Sequence, residues 1–96
     1  MIITNEPGFY KEDSYGIRIE NILHVIHSHK HSNFLAFENL TMVPYCRELI
    51  DESLLVDHHK AEIAAYYETI ASRVRPLLEK EKDVLALDYL SEQLDI

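Results

Sequence analysis

The sequence contains little cysteine, glycine or proline and no tryptophan. Its 96 residues include one cysteine, Cys46, together with two glycines and three prolines. A single cysteine excludes a disulfide framework within the chain, so we expect a reducing compartment and a cytoplasmic protein. No apolar run approaches the ~20 residues that cross a bilayer, and the chain does not open with the basic and apolar segments of a signal peptide. We therefore expect no membrane partner.

Basic residues are also scarce. Nine lysines and arginines stand against 17 aspartates and glutamates, and the net charge is −8. Because no cluster of positive charge is available to contact phosphates, we expect no nucleic-acid partner. Hydrophobic residues make up 47% of the chain, which favours a folded structure of one domain or part of one over a disordered chain.

The spacing of apolar residues is that of strands in the first half of the chain. Strands are predicted over residues 1–6, 17–26, 34–37 and 40–43. The strand over 17–26 is apolar on both faces in its second half, which predicts a central position in the sheet. Residues 9–16 are predicted to form a loop, and residues 47–51 a short strand or turn.

From Asp57 onward the spacing is that of a helix. Apolar residues recur every three or four positions along one stripe, formed by Ile63, Tyr66, Tyr67, Ile70, Val74, Leu77 and Leu78. Asp57 is a candidate N-cap, and Pro76 is expected to kink or end the helix near Arg75. Asp83 is a candidate cap of a second helix, whose apolar face is formed by Val84, Leu87, Leu90 and Leu94. The sequence thus predicts an α+β fold, an antiparallel sheet over residues 1–52 followed by two C-terminal helices over residues 53–96.

Two carboxylates, Glu6 and Glu20, each lie at the end of an apolar extended run. A hairpin with a turn at Pro7-Gly8 would bring them side by side. Two neighbouring carboxylates repel each other unless a cation lies between them. A site for a pair of divalent metal ions is one explanation of such a pair. In the competing interpretation Glu6 is a turn residue and Glu20 forms an ion pair with Arg18.

The sequence around these carboxylates resembles a known family. Residues 5–10 (Asn-Glu-Pro-Gly-Phe-Tyr) and 16–21 (Gly-Ile-Arg-Ile-Glu-Asn) resemble the last two metal-ligand motifs of the pita-bread metallopeptidases, which include aminopeptidase P. Residues 37–44 (Phe-Glu-Asn-Leu-Thr-Met-Val-Pro) resemble the segment after the metal site in the cytosolic type of aminopeptidase P, with Asn39 where that pattern has proline. The chain therefore resembles the C-terminal portion of a pita-bread catalytic domain, a fragment of a larger enzyme.

The resemblance implies a reaction and part of its metal site. In the family two aspartates, one histidine and two glutamates hold two divalent ions, and manganese is the usual expectation for such oxygen-rich ligands. By resemblance Glu6 binds one ion and Glu20 bridges both, whereas the other ligands have no counterpart in this chain. The implied enzyme is an Xaa-Pro aminopeptidase, which hydrolyses the N-terminal residue from peptides with proline second.

The chain alone is expected to be inactive, because no catalytic residue beyond the two metal ligands is expected within it. We also expect it to bind metal weakly or not at all. The alternative function is a non-catalytic module that keeps the fold and binds a partner or a second copy of itself, as a homo-oligomer.

Arg18 and Tyr10 are candidates for contacts that support the metal ligands. Arg18 shares a strand face with Glu20 and is expected to orient it. Tyr10 closes the E-P-G-x-Y motif and is expected to hydrogen-bond near the same site, or else to pack on the sheet as a loop aromatic.

Histidines are concentrated in one segment, which contains His24, His27, His29 and His31. No acidic or cysteine residue completes a ligand set at the usual spacing, so we interpret the segment as a solvated connection between strands. Cys46 has no neighbouring base and is predicted to be a small buried or half-buried residue rather than a nucleophile.

Overall fold

The computed structural model describes residues 1–95 of the chain. The chain divides into two compact units, Met1–Thr41 and a second unit that begins at Met42. Within the described residues, five strands lie in the first unit and both α-helices lie in the second. The predicted α+β order of strands followed by helices is therefore observed.

The first unit is built on a long antiparallel hairpin. Its strands are β1 (Ile2–Asn5), β2 (Gly8–Lys11), β3 (Tyr15–Arg18) and β4 (Asn21–His27). β1 pairs with β4, and β2 pairs with β3. The chain reverses at residues 12–14, where Asp13 has a φ of 54° and the Ser14 N–H donates to the Lys11 carbonyl at 3.1 Å. Aspartate tolerates this left-handed conformation better than most residues.

The predicted turn at Pro7-Gly8 and the predicted loop over residues 9–16 are wrong. Gly8 does not have the positive φ that its place in a type II turn requires, and it begins a strand instead. The strand predicted over 17–26 is interrupted after Arg18 and resumes at Asn21. The interruption lies opposite Pro7, which has no N–H to donate to a sheet ladder.

Strand β4 is the central strand of a three-stranded sheet. It lies between β1 and β5 (Leu35–Asn39), and both pairings are antiparallel. Its predicted central position is confirmed. The strand predicted over residues 40–43 is wrong, because the ladder ends at Asn39. Beyond it, the Thr41 hydroxyl accepts a hydrogen bond from the Ile22 N–H at 2.8 Å, in place of a backbone carbonyl.

The second unit contains a long helix, α1 (Asp57–Lys80). The N-cap is Val56, and Asp57 is the first helical residue, where its carboxylate interacts favourably with the positive end of the helix. The helix continues through Pro76 to Lys80, so the predicted end near Arg75 is wrong.

The second helix, α2 (Val84–Leu94), begins where the sequence predicts. The Asp83 carboxylate accepts a hydrogen bond from the Ala86 N–H at 3.0 Å, which confirms Asp83 as the cap. Neither α1 nor α2 combines the length and the apolar character that a membrane crossing requires.

The core of the second unit forms where the two helices meet. Tyr67, Ile70 and Leu90 are buried there. Half-buried apolar side chains pack around them: Met42, Tyr45, Ile63, Tyr66, Val74, Leu78 and Leu94. The predicted stripes are confirmed except at their ends, because Leu77 and Val84 are 63% and 64% exposed.

A non-helical segment before α1 is tied to both helices by hydrogen bonds. The Tyr66 hydroxyl donates to the Val43 carbonyl at 2.6 Å, and the buried Gln93 side chain accepts from the Arg47 N–H at 2.9 Å. The residues predicted as a short strand or turn form a 3₁₀ turn, Arg47–Leu49, and a second one follows at Glu52–Leu54.

Candidate metal centre

The two ladders of the hairpin share one register, and that register places Glu6 opposite Glu20. The β1–β4 ladder ends with Asn5 opposite Asn21. Continuing it by one residue on each strand pairs Glu6 with Glu20. Two further steps reach Gly8 opposite Arg18, which is the first pair of the β2–β3 ladder. The stretch between the ladders therefore contains no inserted residue, and the predicted pairing of the two carboxylate-bearing segments is confirmed.

The hydrogen bonds on either side show what kind of pair Glu6 and Glu20 form. The Val25 N–H donates to the Met1 carbonyl at 2.9 Å, and the Ile19 N–H donates to the Pro7 carbonyl at 3.1 Å. In an antiparallel pair, hydrogen-bonded and non-hydrogen-bonded positions alternate. Glu6 and Glu20 thus occupy a non-hydrogen-bonded position, where opposed Cα atoms are about 4.5 Å apart and the side chains leave the same face.

Neighbours on that face contact Glu6. The Thr4 hydroxyl donates to Glu6 Oε1 at 3.1 Å, and Arg18 Nε lies 3.9 Å from Glu6 Oε2. The Arg18 and Glu6 side chains are 55% and 43% exposed, so this ion pair contributes little to stability. Arg18 forms its ion pair with Glu6, whereas the sequence suggested Glu20 as the partner of Arg18. The contact of Thr4 with Glu6 was not predicted from the sequence. The position of Thr4 two residues before Glu6 on the same strand, and hence on the same face, could have indicated it.

Tyr10 lies on the same face, in strand β2 rather than in a loop. It is directly opposite Gly16, and its ring also reaches the position of Gly8. The site thus contains two opposed carboxylates, a guanidinium and a phenol on one exposed face of a hairpin.

The carboxylate pair fits part of a divalent metal site. Two like charges directly opposite each other are unfavourable in a sheet, and carboxylate oxygens are suitable ligands for hard divalent ions. Within residues 1–95 no three His, Cys, Asp or Glu side chains are arranged to hold a metal ion. Among the described residues, the opposed pair of Glu6 and Glu20 is therefore not joined by a third potential ligand.

Of the remaining candidates, His24 is half-buried and lies on the same face of the sheet as the carboxylates, opposite Ile2. His27 lies on the other face of β4, and His29 and His31 lie in the connection to β5. Cys46 is exposed, so the prediction that it is buried or half-buried is wrong. Its thiol donates to Glu48 Oε2 at 3.3 Å. The backbone N–H of Glu48 forms a hydrogen bond with the Glu48 carboxylate and lowers its pKa. The hydrogen bond from the Cys46 thiol lowers the same pKa further.

Comparison with known proteins assigns the family. Residues 33–95 match the family model described as the C-terminal region of peptidase M24. The chain belongs to the peptidase M24 family. The matched region begins in the connection to β5 and covers the whole helical unit, so it does not include Glu6 and Glu20.

Individual relatives extend the likeness to the N-terminal strands. The probable Xaa-Pro aminopeptidase P of Sclerotinia sclerotiorum is 39% identical over 99 residues, covering 98% of this chain and 16% of the relative. Xaa-Pro aminopeptidase 1 of Dictyostelium discoideum is 36% identical over 97 residues, again covering 98% of this chain and 16% of the relative. The chain therefore spans about one sixth of the length of these proteins.

A solved structure supports the fold. The crystal structure of X-prolyl aminopeptidase from Caenorhabditis elegans, described as a cytosolic enzyme with a di-nuclear active site, matches with a TM-score of 0.86 at 34% identity. The match covers 98% of this chain and 16% of that protein. The predicted fold class and the predicted resemblance to aminopeptidase P are confirmed.

Proposed function

We propose that this chain contributes Glu6 and Glu20 to the dinuclear metal centre of an Xaa-Pro aminopeptidase. The proposed reaction removes the N-terminal residue from peptides whose second residue is proline. The observation that supports this most directly is the shared register, which sets the two carboxylates opposite each other at a non-hydrogen-bonded position. The names of the relatives and the di-nuclear site of the solved neighbour support the same function.

The residues of this chain have separate roles in the proposal. Glu6 would hold one divalent ion and Glu20 would be a ligand of both; manganese is the proposed metal. When bound, such a pair of ions would supply a water of lowered pKa and would polarise the scissile carbonyl. Thr4 and Arg18 hold the Glu6 carboxylate from two sides, which limits its rotation before a metal binds. The remaining ligands are proposed to come from residues outside this chain.

The test uses the full-length product of the gene that encodes this chain, with its intact mass measured first. Hydrolysis of an Xaa-Pro peptide is measured with added MnCl₂, and Mn²⁺ binding is measured by calorimetry. We expect Glu20→Gln to reduce turnover to background and to weaken Mn²⁺ binding, because a bridging oxygen ligand is lost. The matched control is Glu12→Gln, which neutralises an exposed carboxylate in the hairpin turn and is expected to leave both measurements unchanged.

A product of only 96 residues is expected to show no turnover, because two carboxylates do not complete the site. Full activity of the Glu20→Gln variant, or turnover by the 96-residue chain that survives Glu20→Gln, would contradict the proposal.

Exposed apolar side chains on the strand unit favour a second candidate, a non-catalytic interaction module. Leu35 and Phe37, which share one face of β5, are 65% and 64% exposed. Neighbouring exposed apolar side chains on one face favour a surface that another polypeptide covers. Sedimentation measures whether the gene product forms a stable dimer. A stable dimer that neither binds Mn²⁺ nor hydrolyses the Xaa-Pro peptide would favour this function over the peptidase.

A further inference from the structure

The ladder between β4 and β5 ends beside the candidate metal centre. Its last residue on β5 is Asn39, and the ladder does not reach Glu20. One further backbone hydrogen bond follows, from the Leu40 N–H to the Ile22 carbonyl at 2.8 Å. The Ile22 N–H then donates to the Thr41 hydroxyl rather than to a main-chain carbonyl. Side chains therefore replace the backbone as partners at the start of β4, next to Glu20.

The Asn39 side chain fixes the residues that hold the start of β4. Its Oδ1 accepts from Asn21 Nδ2 at 3.1 Å and from the Thr41 N–H at 3.3 Å, and its Nδ2 donates to the Thr41 carbonyl at 2.9 Å. All three residues are half-buried, so water competes less for these hydrogen bonds. A single amide thus connects Thr41, the acceptor of the Ile22 N–H, to Asn21.

These hydrogen bonds restrain the backbone that carries the Glu20 carboxylate. Successive side chains of an extended strand leave opposite faces, so the Asn21 amide and the Glu20 carboxylate lie on opposite faces of the sheet. Asn21 is directly opposite Asn5, the residue before Glu6. Glu20 and Glu6 occupy a position at which an antiparallel ladder forms no hydrogen bond. The place of Glu20 relative to Glu6 therefore depends on its neighbours, which Asn39 holds from the other face.

We propose that Asn39 is a positioning residue of the metal centre, whose side-chain amide holds the backbone of Glu20 at the separation from Glu6 that shared divalent ions require. Small displacements of the groups in such a site are costly. This inference rests on the proposed function. In the competing interpretation the amide only stabilises the sheet.

The aminopeptidase P pattern has proline at the position of Asn39. Proline restricts its own φ and has no side-chain donor or acceptor. Asparagine instead acts on its neighbours, because its amide forms hydrogen bonds with Asn21 and Thr41. The proposed role therefore belongs to the asparagine of this chain.

The first test separates positioning from stability in the full-length gene product. Asn39→Ala removes the amide, and we expect the Kd for Mn²⁺ to rise roughly 10-fold, the lower end of the range for outer contacts of a metal site. The MnCl₂ concentration that gives half-maximal turnover is expected to rise by the same factor. Calorimetry and initial rates are measured at a temperature at which circular dichroism shows the variant to be folded.

The matched control for stability is Asp83→Ala, which removes a side-chain hydrogen bond at the cap of α2 in the helical unit. We expect it to lower the melting temperature and to leave the Kd for Mn²⁺ unchanged. If Asp83→Ala raised the Kd as much as Asn39→Ala does, the effect would be one of general stability and the inference would be overturned.

The second test asks whether Asn39 acts through Asn21. In an Asn21→Ala background, Asn39→Ala is expected to raise the Kd for Mn²⁺ by a smaller factor than in the parent, because the two side chains share a hydrogen bond. The control is Asn33→Ala, in the exposed connection before β5, which is expected to leave the Kd unchanged in both backgrounds. An equal rise with Asn39→Ala in both backgrounds would overturn the proposed path from Asn39 to Glu20.

Two results separate failure of this inference from failure of the proposed function. A parental Kd for Mn²⁺ in Asn39→Ala, together with weakened binding and lost turnover in Glu20→Gln, would overturn the role of Asn39 and leave the peptidase intact. Parental Mn²⁺ binding and turnover in Glu20→Gln would overturn both.

Discussion

At the scale of single residues, side-chain amides form hydrogen bonds at the edge of the sheet where the backbone ladder between β4 and β5 ends. Asn39 Oδ1 accepts hydrogen bonds from Asn21 Nδ2 at 3.1 Å and from the Thr41 N–H at 3.3 Å, and Asn39 Nδ2 donates to the Thr41 carbonyl at 2.9 Å. Proline, which the aminopeptidase P pattern has at this position, offers no side chain for these bonds. In this chain the amide connects the end of β5 to the start of β4, directly after Glu20.

Asn39→Ala is expected to destabilise the chain by about 1–2 kcal/mol, because it leaves half-buried partners without their hydrogen bonds. The free energy of unfolding in urea is the measurement. Asn33→Ala, in the exposed connection before β5, is the control and is expected to change stability by less than about 0.5 kcal/mol. Equal effects of the two substitutions would show that the Asn39 bonds contribute nothing.

At the scale of elements, the hairpin and the helices are stabilised in different ways. The hairpin is exposed on both faces around residues 8–18, and its register depends on pairing across the strands. The helices depend on burial at their contact, where Ile70 is fully buried. A short helix such as α2 has few turns to sustain it, so its N-cap contributes a large share of its local stability.

Asp83→Ala is expected to lower the free energy of unfolding by about 1 kcal/mol, because the Ala86 N–H loses its acceptor. The control is Asp88→Ala, which removes an exposed carboxylate from the same helix without touching the cap. Urea unfolding followed by circular dichroism compares the two. A loss with Asp88→Ala as large as that with Asp83→Ala would indicate a general effect of charge rather than capping.

At the scale of the whole molecule, acidic groups dominate the surface while phenols occupy the interior of the helical unit. Tyr45, Tyr66 and Tyr67 form one aromatic cluster, with ring centroids 5.1–6.2 Å apart. Burial is the main cause that raises the pKa of Tyr45 and that of Tyr67 above the ordinary value of 10.0, and neighbouring phenols add to it. Both groups hold their protons more tightly in the folded chain than in the unfolded one.

Stability is therefore expected to fall at alkaline pH. Below about pH 10 the phenols of Tyr45 and Tyr67 are protonated in both the folded and the unfolded chain, and their contribution to stability is complete. As the pH rises, these phenols ionise first in the unfolded chain, and their contribution is lost as the pH passes through the folded pKa values. Urea unfolding at about pH 9 and about pH 11 measures the difference. Tyr45→Phe is expected to weaken the dependence, whereas the exposed Tyr89→Phe is not. A Tyr45→Phe variant that loses as much stability as the parent would contradict this account.

The sequence by itself determined the order of strands and helices, the Asp83 cap, the central position of β4 and the two carboxylates of the candidate site. These features depend on spacing along the chain and on short motifs, so local patterns are enough to predict them. Only the tertiary structure decided that Pro7-Gly8 is extended, because Gly8 pairs with Arg18 across the hairpin. It also decided that Arg18 contacts Glu6, that Cys46 is exposed and that the Tyr10 ring lies over two glycines. The contacts of Gly8, Arg18 and Tyr10 depend on which residues meet across the hairpin, and the exposure of Cys46 depends on how the surrounding chain packs. The spacing of residues along a chain specifies neither.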